Sequence, residues 1–124
     1  MSNEAPEFAE SVRVINKPWG SELIWAETEF YVGKIIRVDA GAALSLQFHE
    51  VKDEVLHLLS GSLSLEIGRS EDELKSIDFK PGMSYRVRPG VLHRITARSD
   101  SEILEVSTNH LDDVVRLSDR YGRA

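Results

Sequence analysis

The 124-residue chain has no cysteine, which excludes both a disulfide framework and a thiolate metal site. It has no apolar run approaching the ~18 residues that a membrane-spanning helix needs. Basic residues are in deficit, 15 Lys and Arg against 21 Asp and Glu. The resulting net charge of −6 argues against nucleic acid or an anionic membrane as the main partner. The opening residues, MSNEAPEFAE, lack a basic segment followed by an apolar one, so a secretory signal is not expected and a cytoplasmic location is. They also have few large apolar side chains and several acids, so residues 1–10 are expected to form a mobile N-terminal arm. Residues 11–124 then make one domain of ordinary composition, 41% hydrophobic and 29% charged.

Within that domain the dominant pattern is alternation. Leu63, Leu65 and Ile67 alternate with Ser64 and Glu66, and short β-prone runs recur at Ser11–Ile15, Glu22–Trp25, Tyr31–Val38, Leu74–Phe79, Ser84–Arg88, His93–Ala97 and Ile103–Ser107. Gly and Pro turns such as Pro81-Gly82 and Pro89-Gly90 divide them. About nine or ten short strands at this spacing predict an all-β sandwich or barrel. Asn109–Leu117 reads as a short C-terminal helix, with Asn109 as the cap and two acids early in the first turn. Ser11–Ile15 is read as a free strand that adds to a partner's sheet in a two-fold homodimer.

The stretch Leu44-Ser45-Leu46-Gln47-Phe48-His49 carries the chemistry. Period-two alternation puts Ser45, Gln47 and His49 on one face and the three apolar residues on the other. A second strand opens at Glu54, which shares its face with Leu56 and Leu58, and the Pro89-Gly90 turn aims His93 inward. An amide, imidazoles and a carboxylate are all usable ligands for one divalent first-row metal. A lone Gln-x-His pair is more often merely a half-buried polar pair, so the reading rests on all four residues: Gln47, His49, Glu54 and His93. His57 has the opposite parity to Glu54 and is assigned to the surface or an interface, and His110 to a solvated tail.

The spacing Gly41-x5-Gln47-x-His49-x4-Glu54-x6-Gly61, followed by Gly82-x7-Gly90-x2-His93, resembles the two motifs of the cupin superfamily, with Gln47 in place of the usual leading histidine. The variant narrows the likeness to the cupin domain of type II phosphomannose isomerases. Lys17-Pro18-Trp19-Gly20-Ser21 resembles the entry segment of that family, and residues 112–123, from Asp112-Asp113-Val114-Val115 to Arg120-Tyr121-Gly122-Arg123, resemble its tail. The resemblance implies a jelly-roll β-barrel holding one divalent ion, zinc first, with manganese, iron, cobalt or nickel as alternatives. It implies aldose–ketose isomerisation of mannose 6-phosphate or a related sugar through an enediol. Lys34 and Lys52 become the candidate catalytic cations, Lys52 standing where the family has arginine. Arg94 and Arg116 become candidate substrate-binding residues, while Trp19 and Tyr121 are assigned to packing. The sequence departs from the family at Glu50 and Val51, where histidines are usual, and at Arg88 and Ala97. Two other readings stand beside the isomerase: a non-catalytic cupin that binds a sugar or small metabolite, and, disfavoured by its few histidines, a cupin oxygenase.

Overall fold

The computed structural model describes residues 6–123. Among the described residues there are eleven strands: β1 (Arg13–Lys17), β2 (Gly20–Glu27), β3 (Tyr31–Val38), β4 (Leu46–Phe48), β5 (Glu54–Ser60), β6 (Leu63–Gly68), β7 (Lys75–Phe79), β8 (Ser84–Val87), β9 (Leu92–Ala97), β10 (Ser101–Thr108) and β11 (Val115–Ser118). Single 3₁₀ turns cover Pro6–Phe8 and Glu71–Glu73. No helix among the described residues is long and apolar enough to cross a membrane.

The strands form two antiparallel sheets, one of six strands in the order β1-β2-β3-β10-β5-β8 and one of five in the order β11-β4-β9-β6-β7. The chain changes sheet at most connections from β3 onward, the wiring of a double-sheet jelly roll. Alternation decides which side chains meet between the sheets. Ile36, Val38, Leu56, Leu58, Val87 and Ile103 from the larger sheet pack against Leu63, Leu65, Phe79, Ile95 and Ala97 from the smaller, with Trp19 closing the cluster.

Three expectations change. The expected closed barrel is two facing sheets with open edges at β1, β8, β11 and β7. The expected C-terminal helix is a turn followed by β11, which pairs with β4. Val114 and Val115 are β-branched and suit a strand, and Asn109 donates its side-chain amide to the Thr28 carbonyl (2.6 Å) instead of capping a helix. The Ser11–Ile15 run is not free, because β1 lies in register on β2 of its own chain, Arg13 opposite Ile24 and Lys17 opposite Gly20. Of the expected arm, residues 1–5 lie outside the described residues, and Glu7 to Glu10 are exposed.

Candidate metal centre

The site sits at one end of the space between the sheets, where β4, β5 and β9 present their inward residues. Gln47 on β4 lies directly opposite His93 on β9, so the two share a face. His49 follows two residues later on that face, just past the end of β4. Its carbonyl accepts the Gly90 N–H (2.7 Å), which ties the Pro89-Gly90 turn before β9 to the segment after β4. Gly90 makes that turn at a φ of +82°, a left-handed conformation that glycine adopts without steric cost. Glu54 enters from the other sheet at the first position of β5.

His49, Glu54 and His93 are all buried, and their ligand atoms lie within 4.8 Å of one another. Each imidazole is held by its other nitrogen: His49 Nδ1 donates to the Asp113 carbonyl (2.5 Å) and His93 Nδ1 to the Val91 carbonyl (3.1 Å). A carbonyl can only accept, so each neutral ring turns an Nε2 lone pair toward Glu54. The Nε2 atoms of His49 and His93 lie 3.5 and 3.4 Å from Glu54 Oε1. Those separations are long for hydrogen bonds, but ligands bound at ~2.0–2.1 Å to one tetrahedral ion stand ~3.3–3.4 Å apart. His49 Nε2 is buried with no hydrogen-bond partner among the described residues. Three acceptors converging on one point, with both histidines oriented by backbone carbonyls, fit a divalent cation. Gln47 Oε1 already accepts from Ser45 Oγ (2.7 Å) and retains a second lone pair.

A chain of buried charges continues from the ligands. Lys52 Nζ lies 3.0 Å from Glu54 Oε2 and 3.1 Å from Glu105 Oε2. Lys34 stands opposite Glu105 across β3 and β10 and pairs with Glu22 at 3.3 Å. Burial alone would raise the Glu54 carboxyl, but where no cation takes up the Nε2 lone pairs, proton donation from the two facing imidazoles, together with the Lys52 ammonium, outweighs it and holds the carboxyl well below the usual carboxylate range. Burial works against the charge on Lys52, yet Glu105 and Glu54 overcome it and push the ammonium above its ordinary value. Glu105 is pushed up, by burial first and the Glu54 charge second.

Next to this centre is a pocket bordered by Trp19, Gln47, His49, Lys52 and the C-terminal segment. Five of its lining residues are cations, Lys17, Lys34, Lys52, Arg116 and Arg123, against two acids, Glu22 and Asp113. Three of the five are paired with acids, Lys34 with Glu22, Lys52 with Glu54 and Glu105, and Arg123 with Asp119, so the wall is densely charged with both signs. Arg116 lies opposite Gln47 on β11 and faces this pocket. Arg94 is placed differently. As the neighbour of His93 it turns to the outer face of the sheet, where its guanidinium makes two bonds to Glu66 (2.9 and 3.1 Å). His57 and His110 stand outside the cluster, bonded to Ser84 and Thr108. Trp19 is buried in the core, and Tyr121 packs against its margin.

Sequence reasoning passed over three participants. Glu105 shares the inward face of β10 with Ile103 and Ser107, so strand parity alone marks it as a buried acid. Glu22 carries no comparable signal. Asp113 is a tertiary effect: its carboxylate accepts the backbone N–H groups of Glu50, Val51 and Lys52 (3.0, 2.7 and 2.9 Å) while its carbonyl orients His49. One residue thus shapes the loop between β4 and β5 and fixes a ligand.

The fold and the two-motif site define a cupin: residues 34–108 match the Cupin domain family, and the chain belongs to it. More particularly, it is similar to the xanthan biosynthesis protein XanB of Xanthomonas campestris pv. campestris, 34% identical over 117 residues that make up 90% of this chain and 24% of that protein. The chain therefore spans about a quarter of the length of the curated relatives it matches. Among solved structures it is similar to KdgF from Halomonas sp., with a TM-score of 0.65 at 20% identity over 80% of this chain and 86% of that one. It also resembles an oxalate decarboxylase from Bacillus subtilis, with a TM-score of 0.73 at 18% identity over 86% of this chain and 30% of that one. At those identities the structural likeness concerns the fold.

Proposed function

We propose that this cupin is a metal-dependent sugar-phosphate isomerase, interconverting aldose and ketose forms of mannose 6-phosphate or a related sugar. The observation that carries the reading is the juxtaposition of the His49–Glu54–His93 ligand set with a cation-lined pocket. The similarity to a protein named for xanthan biosynthesis supports a sugar-related role. Gln47 completes the proposed ligand set, with zinc the first candidate ion.

A divalent ion bound there supplies Lewis-acid polarisation of the sugar oxygens. The side chains divide the remaining work. Lys34 and Arg116, both on the pocket wall, attract the phosphate. Lys52 keeps its proton, because two carboxylates hold it, and so acts as a charge and a hydrogen-bond donor; it is no base. Glu54 is committed to the ion. Glu105, raised in pKa, lines the adjoining cavity with Gln47, Glu54 and His93, and is the carboxylate assigned to take the C2 proton and return it to C1, the electron pair passing through the enediolate between. Arg94, tied to Glu66 on the outer face, has no part in this scheme.

The test is turnover of mannose, glucose and fructose 6-phosphates by protein loaded in turn with zinc, manganese, iron(II), cobalt and nickel. Interconversion is expected with at least one pair, and Glu105→Gln should lower turnover about 10²–10⁴-fold with little change in substrate affinity. The second reading, a sugar-binding cupin without catalysis, is favoured by Lys34 and Lys52 being already ion-paired. Metal-loaded protein that binds these sugars but never interconverts them would establish it. Oxygen consumption without isomerisation would point to an oxygenase.

A further inference from the structure

The pocket beside the metal centre holds cations of two kinds. Three have already spent their charge within the chain. Lys34 faces Glu22 at 3.3 Å, and Lys52 faces Glu54 and Glu105 at 3.0 and 3.1 Å. Arg123 turns one edge of its guanidinium onto the Asp119 carboxylate, with bonds of 2.9 and 3.0 Å. Lys17 borders the same pocket and has no ion pair or side-chain hydrogen bond to any described residue. A phosphate would recruit Lys34 or Lys52 only by uncovering a carboxylate, and stripping one partner from a buried pair is costly. Lys17 has no such partner to give up.

The chain around Lys17 is built to hold it there. Lys17 ends β1 and shares the half-buried face of that strand with Ile15, while Asn16 turns out. Pro18 fixes its own φ. Trp19 is buried in the core, and its carbonyl accepts the Asp39 N–H (2.9 Å). Gly20 follows at a φ of +152°, where an added Cβ would collide with the Arg37 carbonyl oxygen, so the turn closes only on glycine. A clamped turn thus carries a half-buried ammonium with no partner inside the described chain. Glu22, the diagonal neighbour of Lys17 across β1 and β2, is engaged by Lys34 instead.

We infer that Lys17 is the anion anchor of the site, the residue that selects phosphorylated over unphosphorylated sugars. The inference rests on the sugar-phosphate reading given above and names the group that reads the phosphate. A lysine meets a phosphate as a point charge with three donors. Lys17 reaches the pocket from the six-stranded sheet and Arg116 from the five-stranded one, so an anion in the pocket faces a cation from each sheet. In a chain of net charge −6, an ammonium that is not neutralised internally also offsets the field that repels such a substrate.

The test is calorimetric binding of mannose 6-phosphate, inorganic phosphate and mannose to the zinc-loaded full chain. Wild type is expected to bind the two phosphate-bearing ligands more tightly as salt is lowered. Lys17→Met keeps an unbranched stem without the charge, and should weaken mannose 6-phosphate about 10–100-fold while leaving mannose within about twofold. Lys17→Arg should restore most of the binding. Lys80→Met, which removes a lysine outside the pocket, should change none of the three and controls for net charge. Zinc content and the far-UV spectrum should match wild type throughout. An unchanged affinity in Lys17→Met, an equal loss of mannose and mannose 6-phosphate, or a larger selective loss in Lys34→Met would overturn the inference, as would a wild type that binds no phosphate-bearing ligand. Isomerase turnover with the same KM in wild type and Lys17→Met would remove the anchor and leave the proposed function standing. Selective binding through Lys17 without turnover would uphold the anchor and remove the isomerase.

Discussion

Along three neighbouring strands, adjacent cross-strand rows are buried alike and built from opposite chemistry. Ile36, Ile103 and Leu58 stand side by side on β3, β10 and β5, all apolar. One inward step along the same strands gives Lys34, Glu105 and Leu56, and the next gives Val32, Ser107 and Glu54. On β9 the inward series runs Ala97, Ile95, His93. Lys34, Glu54, His93 and Glu105 are 5%, 4%, 3% and 4% exposed, nearly as buried as the apolar residues that precede them, none of which exceeds 3%. Burying an apolar side chain stabilises the fold by roughly 1.5–3 kcal/mol, whereas burying a charge costs several kcal/mol and a paired charge about breaks even. The charged end therefore contributes little to stability, and its presence is explained by what it binds. The apolar end is the platform that makes such an arrangement tolerable.

Breaking each end should give opposite signatures, and the largest effect on stability belongs to the platform. Phe79 is fully buried and packs edge-on to Tyr85, with ring centroids 5.1 Å apart. Phe79→Ala should cost about 3–5 kcal/mol in chemical denaturation, while any folded protein retains one metal per chain. His49→Ala should reverse this pattern. Metal stoichiometry by elemental analysis should fall toward zero, with a loss of stability severalfold smaller than that of Phe79→Ala. If the histidine variant proves the less stable, the division into platform and site is wrong.

Lys52→Met probes the boundary between the two ends. It removes the ammonium between Glu54 and Glu105 and leaves two buried carboxylates facing each other. Breaking such a group should destabilise the metal-free protein by roughly 3–5 kcal/mol. A cation supplied at Glu54 should recover part of that loss, so zinc should raise the melting temperature of Lys52→Met by more than it raises that of wild type. Equal zinc effects in the two proteins would mean that Lys52 does not share the charge of Glu54 with the metal.

The legibility of these two ends in the sequence differs for physical reasons. Strand parity is local, so the inward set from Glu54 to Leu58, and from Lys34 to Val38, can be read directly, and so can the turn that delivers His93. Glu105 is equally readable by parity. The C-terminal segment is not. An acid pair after an asparagine has the composition of a helix start, and the same acids serve equally well to catch the N–H groups of a distant loop. Asp113 does the latter, over a separation of more than sixty residues that no local pattern encodes. The sheet edges are ambiguous in a similar way: the run before Pro18 is β-prone whether it pairs at home, as β1 does, or with a partner.

The smallest expected effect is an acid transition confined to the site end. Asp113 is lowered from its ordinary 3.8 to about 2, first by the Glu50 N–H and then by those of Lys52 and Val51. Asp119 is also lowered to about 2, chiefly by its bonds from the Arg123 side chain. A carboxyl with a depressed folded pKa contributes stability that is complete above its unfolded value and is lost as pH falls through the folded one. The loss therefore begins near pH 4 and is largely complete near pH 2. Both acids anchor the C-terminal segment that walls the pocket, and neither touches the apolar platform. Metal-free protein titrated from pH 5 to 2 should show a change in the fluorescence of Trp19, which borders that pocket, before the far-UV signal of the sheets is lost. Trp25→Phe removes the other indole and isolates the reporter. Asp113→Asn in that background should bring the Trp19 change to pH 7 and leave the sheet signal in place. A single coincident transition, unmoved by Asp113→Asn, would show that the two ends unfold as one and that the C-terminal segment is no separate hinge on the site.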